Sequence, residues 1–365
     1  MKSKIKIAFY SHAIDFAGTW RSHERIAEIL QHDDVYDVYI LYSDVDDHNR
    51  LETAKKVLHN CKFIEFHRTS TKRGPESGYA PTESNIAEIV RENKIDVFHF
   101  ARSGYYEWPF TSRMCPIQIE TNIFGYIDNS DYVDGSIVIS KFLKIEESKT
   151  KKVIPNPIPA PKLHAKEDLR QQLGIGKDDL VFGRIGRPDN FTPIALEAYR
   201  EFIKTSQVKS KYVIIGACQK TKDYIVENGM SNNVLILDCT NDDEYIERFH
   251  KTIDIFAHYR SDGETFGTAI AQAMIHSIPV ITHYAGQNSQ LETIGNGGFC
   301  VNSAIDYYRC MHYLSNRDNL NVLADNAKKF AIENYEQNFV VRAIKNFYNK
   351  IIEQKGLIHE KDNCF

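Results

Sequence analysis

The sequence lacks any apolar run long enough to span a membrane. Such a span takes roughly 18 or more consecutive apolar residues, and no stretch of the 365-residue chain approaches that length. The opening segment, MKSKIKIAFYSHAIDFAG, places Asp15 soon after a strand-length apolar run and contains no signal-type stretch or cleavage site. We therefore expect a protein without a transmembrane anchor.

Paired cysteines and an excess of basic residues are also missing. The seven cysteines are scattered and include no C-x-x-C pair, which argues against a disulfide framework or a metal site and favours a reducing compartment. The formal net charge is −4, so no overall basic field indicates a nucleic-acid partner. We expect a cytoplasmic protein that binds no nucleic acid.

Length and composition suit two domains of moderate size. Of the 365 residues, 42% are hydrophobic and 12% aromatic, enough to fill two cores. Strand-length apolar runs alternate with helix-length segments in both halves, which predicts an α/β protein with two parallel sheets. The stretch IPNPIPAP, residues 154–161, contains four prolines, which no helix or central strand tolerates. We predict an N-terminal domain over 1–158, a C-terminal domain over 159–338, a last helix over 339–356 and a flexible tail over 357–365.

A polar, basic segment interrupts the first half of the chain. Residues 67–81, HRTSTKRGPESGYAP, are rich in Gly and Pro and predict a long loop. Its cations Arg68, Lys72 and Arg73 could touch an anionic acceptor or a membrane surface. A solvated loop is the simpler interpretation, and peripheral membrane contact stays open.

The most informative segment covers residues 259–301, YRSDGETFGTAIAQAMIHSIPVITHYAGQNSQLETIGNGGFCV. A tight acidic turn containing Glu264 leads into Phe266 and Gly267, and a helix with small residues begins at Thr268. The free N–H groups and the dipole at a helix start favour an anion, and Gly267 lets a ligand approach the backbone closely. The segment therefore predicts a pocket for a negatively charged, hydroxyl-rich ligand.

This segment resembles the nucleotide-sugar site of the retaining glycosyltransferases of family 4, which have the GT-B fold. The family pattern has a Glu, a Phe-Gly pair, a second Glu eight residues after the first, Ala-Met, a Pro-Val-Ile strand, and a Gly turn before another Glu. At the second Glu this chain has Gln272. The other features match in order and spacing at Glu264, Phe266-Gly267, Ala273-Met274, Pro279-Val280-Ile281, Gly286 and Glu292.

The resemblance implies both a fold and a reaction. The fold is two Rossmann-like parallel-sheet domains facing across a cleft, with the C-terminal helix crossing back to the first domain. The reaction moves a hexose from a nucleoside diphosphate sugar to a hydroxyl of a glycan, lipid or protein, with retention of anomeric configuration. The family requires neither a metal nor a resident cofactor, and the Asp-x-Asp sequence from Asp44 to Asp46 lies far from the diphosphate motif.

The turn after the first strand of the second domain carries the diphosphate motif. It reads LVFGRIGRPDN, with Arg184 and Arg187 beside two glycines, and arginine forks suit phosphate oxygens. In the family this turn supplies an Arg and, five or six residues later, a Lys, which together clamp the diphosphate. Arg184 matches the Arg. The Lys position falls near Asn190, so Arg187 either substitutes for the Lys or is an ordinary surface residue.

Further donor-binding residues are implied by the same resemblance. In the family the first Glu, here Glu264, lies near the donor sugar, and the second, here Gln272, binds the ribose hydroxyls. Gln272 can still hydrogen-bond to hydroxyls, but without a charge; otherwise it is a residue of the helix surface. The other implied donor-binding positions are Gly18 after the first strand, Gly216 and Asp238 at strand ends, and Phe266, Gly267 and Thr268.

Polar residues at predicted strand ends of the first domain complete the catalytic candidates. Ligands in such folds gather at the carboxyl ends of strands, and the family often has a His there that contacts the donor sugar. His99 and Glu120 are the candidates, with Arg102 nearby; for each, a satisfied buried polar residue is an equally good interpretation. Polar neighbours of the first loop that could meet the acceptor are His12, Asp15, Arg21 and His23.

Two other functions stay open. The chain could be a degenerate member that binds nucleotide or glycan without turnover, which Gln272 and the missing Lys favour. It could also be a nucleotide-sugar epimerase of similar fold, in which a first-domain carboxylate such as Glu120 carries the chemistry. Donor hydrolysis tests the first alternative, and product analysis without an acceptor tests the second.

Overall fold

The structure, a computed structural model, describes residues 4–14, 18–43, 46–74, 78–143, 146–148, 150–162 and 167–356, with the backbone alone for 69–74 and 78–83. The predicted tail 357–365 and Asp15 therefore lie outside the described residues. The chain forms two compact units, one made of Met1–Pro157 with Gln337–Phe365 and the other of Ile158–Glu336. The division falls inside the proline-rich stretch 154–161.

The first unit is built on a parallel sheet. Its described strands follow the order β3-β2-β1-β6-β7-β8-β9. Their bounds are β1 Ile5–Ser11, β2 Tyr36–Ser43, β3 Lys62–Phe66, β6 Val97–Arg102, β7 Ile117–Asn122, β8 Gly135–Val138 and β9 Lys151–Val153. The helices preceding the central linker are α1 Gly18–Leu30, α2 His48–Val57 and α3 Ile86–Glu92.

Both faces of this sheet are buried, as expected for parallel strands. Side chains alternate along β1 with the period of two that a strand imposes. Ile7 and Phe9 face a core that includes Trp20 of α1, whereas Ala8 and Tyr10 face a second core rich in phenylalanine. The near-continuous apolar run of β1 therefore reflects burial on two sides.

The segment predicted as a long loop forms a β-hairpin. Strands β4 (Arg68–Gly74) and β5 (Gly78–Ser84) pair antiparallel, from Arg68 opposite Ser84 to Gly74 opposite Gly78. The loop prediction was wrong because the hairpin is separate from the main sheet and so carries no alternating apolar pattern. Backbone hydrogen bonds hold it together, and composition does not report them.

The second unit repeats the architecture. Its described strands follow the order β12-β11-β10-β13-β15-β17, all parallel. The strands are β10 Leu180–Ile185, β11 Ser210–Ile215, β12 Val234–Leu237, β13 Ile255–Ala257, β15 Val280–His283 and β17 Gly298–Val301, with a small separate ladder of β14 Gly263–Glu264 and β16 Gln287–Asn288. The helices are α4 Ile194–Thr205, α5 Gln219–Glu227, α6 Asp243–Thr252, α7 Thr268–Ile275, α8 Gln290–Ile294, α9 Ala304–Leu314 and α10 Arg317–Tyr335.

The last helix, α11 (Gln337–Gln354), packs on the first unit. Its residues Val341, Ile344 and Tyr348 join the core that contains Ile7 and Phe9 of β1. An amphipathic helix late in the chain thus completes a core begun by the first strand. The predicted α/β class with two parallel-sheet domains is confirmed.

No helix in the described part of the chain is both long and apolar enough to cross a membrane.

Candidate active site

The sheet of the second unit reverses its strand order between β10 and β13. Ligands of open parallel sheets bind outside the carboxyl ends of the strands at such a reversal. Here β10 runs into the turn with Gly186 and Arg187, and β13 runs into the loop with His258, Tyr259 and Arg260. Both loops belong to segments in which the sequence indicated a donor site.

Glu264 is fixed at this edge of the sheet by its backbone and by its side chain. Gly263 and Glu264 form the short parallel ladder with β16, and the Glu264 N–H donates to Oε1 of Gln290 at 3.2 Å. One carboxylate oxygen lies 3.2 Å from Nε2 of His258, and the other accepts from Nη1 of Arg260 at 3.3 Å. The side chain is 15% exposed, so the carboxylate is held in place but accessible.

His258 holds the Glu264 carboxylate in one orientation. The imidazole is buried, and its Nδ1 lies 2.8 Å from the Thr282 hydroxyl. An ionised carboxylate can only accept, so the arrangement fits the tautomer with its proton on Nε2 and with the hydroxyl donating to Nδ1. The residues at the ends of β13 and β15 therefore set the direction of the Glu264 side chain.

Helix α7 begins four residues after Glu264, directly after a glycine. This N-cap, Gly267, has φ 89° and ψ 58°, a left-handed conformation that L side chains rarely adopt, and it has no side chain of its own to cap the helix. The first N–H groups of α7, beginning at Thr268, therefore have no partner within the helix. With the helix dipole they favour an anion at this point.

Arg184, the predicted phosphate ligand, is buried against the backbone of neighbouring turns. The residue is 3% exposed, and its guanidinium donates to the carbonyls of Gly216 and Arg187, both at 2.9 Å. It also stacks 4.3 Å from the ring centroid of Tyr259. The side chain therefore contacts the loops that follow β10, β11 and β13. These loops are neighbours because the three strands are adjacent in the sheet. Its described contacts are thus those of a residue that positions the turns after β10 and β11.

Other predicted donor residues lie at the same edge with different exposure. Gly216 is required by the protein itself, since a Cβ there would stand 2.5 Å from the Gly186 carbonyl oxygen. Arg187 and Asp238 are exposed, after β10 and β12 respectively. Gln272 is half-buried on α7. These positions leave Arg187, Asp238 and Gln272 available to a ligand.

Two further predictions concern residues that do not offer a side chain here. The Phe266 ring is buried against Tyr335, with ring centroids 5.3 Å apart, so only its backbone can reach a ligand. Gly18 of the first unit is the exposed first residue of α1, and a Cβ there would meet nothing within 4 Å. The packing of Phe266 explains why an aromatic residue stands in this motif.

His99 and Glu120, the predicted catalytic residues of the first unit, are buried and hydrogen-bonded to other residues of that unit. His99 lies on the α11 side of β6, between the Tyr348 hydroxyl at 2.7 Å and the Thr121 hydroxyl at 2.8 Å, and burial holds its pKa well below the usual value. Glu120 accepts from Nε of Arg102 at 2.6 Å and from the Ser136 hydroxyl at 2.7 Å. Both are satisfied buried polar residues, the alternative that the sequence left open.

The polar residues near the first loop are only partly grouped. His12, after β1, lies 3.4 Å from a carboxylate oxygen of Glu107, while His23 is buried, with its pKa lowered to about 3 by burial. Arg21 contacts Glu24 one turn later in α1. Among the described residues, no group of three or more His, Cys, Asp or Glu side chains could hold a metal ion.

The structure adds two residues that the sequence reasoning missed, His258 and Arg260. Both precede Glu264, in the loop that β13 enters. The available signal was a His and an Arg at a strand end within six residues of the candidate carboxylate. The family pattern begins at Glu264 and so gave no reason to examine them.

Residues 165–330 match the family described as Glycosyl transferases group 1. No curated protein sequence matches the chain. Among solved structures, a glycosyltransferase from Rickettsia africae ESF-5 is similar, with a TM-score of 0.76 and 17% identity over 96% of this chain and all of the other. HepE of Anabaena, solved with UDP and glucose, has a TM-score of 0.66 and 16% identity, covering 94% of this chain and 99% of its own.

A third similar structure, the sucrose-phosphate synthase of Thermosynechococcus elongatus, has a TM-score of 0.69 and 14% identity over 96% of this chain and 100% of its own. At these identities the likeness to solved structures concerns the fold, and the family match concerns the second unit. Together they confirm the resemblance stated from the sequence: residues 165–330 match the group 1 glycosyltransferases, and the chain has the GT-B fold of the similar solved structures.

Proposed function

We propose that the protein transfers a hexose from a nucleoside diphosphate sugar to a hydroxyl of a glycan, lipid or protein. The observation that carries this proposal is the Glu264 carboxylate, held by His258 and Arg260 shortly before the start of α7, where the N-cap is Gly267. A sugar hydroxyl can donate to the carboxylate while a phosphate accepts from the helix N–H groups. A nucleoside diphosphate sugar carries both groups, adjacent to each other.

In this proposal the protein stabilises charge on the leaving diphosphate. The N-terminus of α7 faces the negative charge that develops as the glycosidic bond to phosphate breaks, and Arg187 adds an exposed cation at the same edge. Preorganised donors of this kind lower the barrier without reorganising during the reaction. Transfer with retention and without a metal ion follows from the family resemblance and belongs to the proposal.

A nucleotide partner is supported by the fold's relatives. HepE of Anabaena was solved with UDP and glucose, and its fold resembles that of this chain. UDP is therefore the first nucleotide to test, followed by GDP and ADP.

The test is a donor screen followed by product analysis. We expect one of UDP, GDP or ADP to raise the melting temperature, since a ligand stabilises the folded state by the logarithm of its saturation. The matching nucleotide sugar should then be hydrolysed slowly, and faster with an acceptor, with activity unchanged in excess chelator. NMR of the first product gives the anomer. If no nucleotide sugar binds, the proposed donor class is wrong. If the first product has the inverted anomer, the proposed retention of configuration is wrong.

A second candidate is a member that binds the nucleotide without turnover. Gln272 and Asn190, which stand where the family has a Glu and a Lys, favour it. Nucleotide binding without donor hydrolysis or transfer would support this candidate. The epimerase alternative is supported less well, because the Glu120 carboxylate on which it depends is buried and accepts from Arg102 and Ser136.

A further inference from the structure

Arg260 is a cation at the proposed donor site that no sequence motif indicated. Its guanidinium makes a two-point contact with Asp262, through Nε at 2.6 Å and Nη2 at 3.0 Å. The remaining Nη1 donates to Glu264 at 3.3 Å. The side chain is 25% exposed, so this guanidinium is held in one orientation and still reaches the surface of the second unit.

The same guanidinium lies beside Asn190, in the turn that follows β10. With its amide oxygen toward Arg260, Asn190 accepts from Nε at 3.3 Å and from Nη2 at 3.2 Å. The Ser261 N–H also donates to the Asn190 carbonyl, at 3.3 Å. The loops after β10 and β13 are therefore in contact here. The loop after β13 places the Arg260 charge beside Asn190, the neutral residue of the loop after β10.

The Asp262 carboxylate accepts from Nε and Nη2 of Arg260, the two donors that a phosphate group could also engage. This carboxylate is 56% exposed, so it can swing into solvent without opening a core. The hydrogen bond from Arg260 lowers the pKa of Asp262, and the charge of Arg187 acts in the same direction. One guanidinium thus holds an exposed carboxylate two residues before Glu264.

We propose that Arg260 supplies the second cation for the donor diphosphate, and that Asp262 fills its fork until the donor displaces it. The inference rests on the proposed function and names the residue that compensates for Asn190. A bidentate guanidinium matches two oxygens of a phosphate as well as it matches a carboxylate. An exposed ion pair such as Arg260–Asp262 contributes little to stability, so the exchange has a small cost.

Arg260 also connects the two halves of the donor. While Nη1 stays on Glu264, the edge formed by Nε and Nη2 is the one released by Asp262. Binding of the diphosphate would therefore hold Arg260 in the orientation that positions the Glu264 carboxylate toward the sugar. Arg184 does not serve this purpose, because its guanidinium is committed to the Gly216 and Arg187 carbonyls.

Isothermal titration with UDP, GDP and ADP, and with the matching nucleosides, tests the inference. The variants are Arg260→Gln, Arg260→Lys and Asp262→Asn, with Arg309→Gln as the matched control, since Arg309 also pairs with a nearby Asp but is 72% exposed on α9. Arg260→Gln should lower the affinity for the diphosphate about tenfold or more, equal to about 1.4 kcal/mol. The affinity for the nucleoside should stay within about twofold of wild type. Arg260→Lys should fall between, and Asp262→Asn should bind the diphosphate more tightly.

The outcomes separate this inference from the proposed function. Wild-type affinity in Arg260→Gln at an unchanged melting temperature, or weaker diphosphate binding in Asp262→Asn, overturns the inference while the donor assignment stands. Equal losses for nucleoside and diphosphate would likewise overturn it, because Arg260 would then act through the fold of the loop. If the wild-type protein binds none of the three diphosphates, the proposed donor class is wrong and the inference fails with it.

Discussion

The carboxylate of Glu264 lies 3.2 Å from Nε2 of His258, and the imidazole is anchored in turn by Thr282. A buried histidine thereby fixes an accessible carboxylate at the start of α7. His258 directly follows β13, which ends where the strand order of the sheet reverses, and Glu264 is the last residue of β14 in the separate small ladder. This relationship gives the site a defined geometry before any ligand binds.

Glu264→Gln should reduce transfer on the order of 10²-fold, the scale of removing one preorganised electrostatic group. The fold should persist, because the amide can keep one contact to His258 or Arg260. Initial rates at saturating donor and thermal melting measure the two effects. The control is Glu333→Gln, an exposed carboxylate on α10. Near-normal turnover in the variant would remove Glu264 from the proposed mechanism.

Gln272→Glu should tighten binding of the donor about fivefold, since a carboxylate accepts more strongly from ribose hydroxyls than an amide does. The gain should be equal for the nucleotide sugar and for its nucleoside diphosphate, because both carry the ribose. Turnover at saturation should change little, since ribose contacts are alike in ground and transition states. Titration with one diphosphate is enough, and unchanged or weaker binding rejects the ribose contact.

Arg184→Met should destabilise the second unit by roughly 2–4 kcal/mol, because the Gly216 and Arg187 carbonyls lose their buried donor. Urea unfolding gives the change. Arg187→Met, at the exposed neighbouring position, should change stability by less than about 0.5 kcal/mol. If Arg184→Met kept full stability and lost diphosphate affinity, the direct phosphate contact implied by the family resemblance would be restored.

Glu120→Gln should lower stability by about 1–3 kcal/mol, because it weakens a buried charged contact to Arg102. Arg102 keeps its ion pair with Asp128 at 2.8 Å, so the first unit should still fold. Transfer per folded molecule should be unchanged, which a rate normalised to active-site titration can check. A specific loss of turnover with normal stability would return Glu120 to the catalytic candidates.

Stability should fall as the pH drops below about 6.5. Burial lowers the pKa of His23 to about 3 and holds those of His99 and His250 well below the usual value. In the unfolded chain these groups take up protons near pH 6.5, whereas in the folded protein they stay neutral, so lower pH favours unfolding. Each contributes a slope of up to about 1.4 kcal/mol per pH unit.

Urea unfolding at pH 7.5, 6.5 and 5.5 measures this dependence above the range where most carboxylates titrate. A free energy of unfolding that is constant over this range would show that the three imidazoles are not neutral and buried.

The sequence by itself determined the α/β class and identified the segment that we propose binds the donor. Both follow from local information: strand-length and helix-length apolar patterns alternate along the chain, and the residues from Glu264 to Thr268 are contiguous. A helix start with free N–H groups beside a carboxylate is a property of a few neighbouring residues. The prediction therefore did not depend on how distant parts of the chain come together.

Only the tertiary structure decided which polar side chains remain available to a ligand. Arg184 and Gly216 are 32 residues apart in sequence, and only the β10–β11 pairing brings the guanidinium to that carbonyl. His99 meets Tyr348 across 249 residues, because α11 covers the face of β6 that carries it. A strand residue's role depends on what covers its face, and those partners come from other elements of the fold. For the same reason Arg260 emerged only when the loops after β10 and β13 were seen side by side.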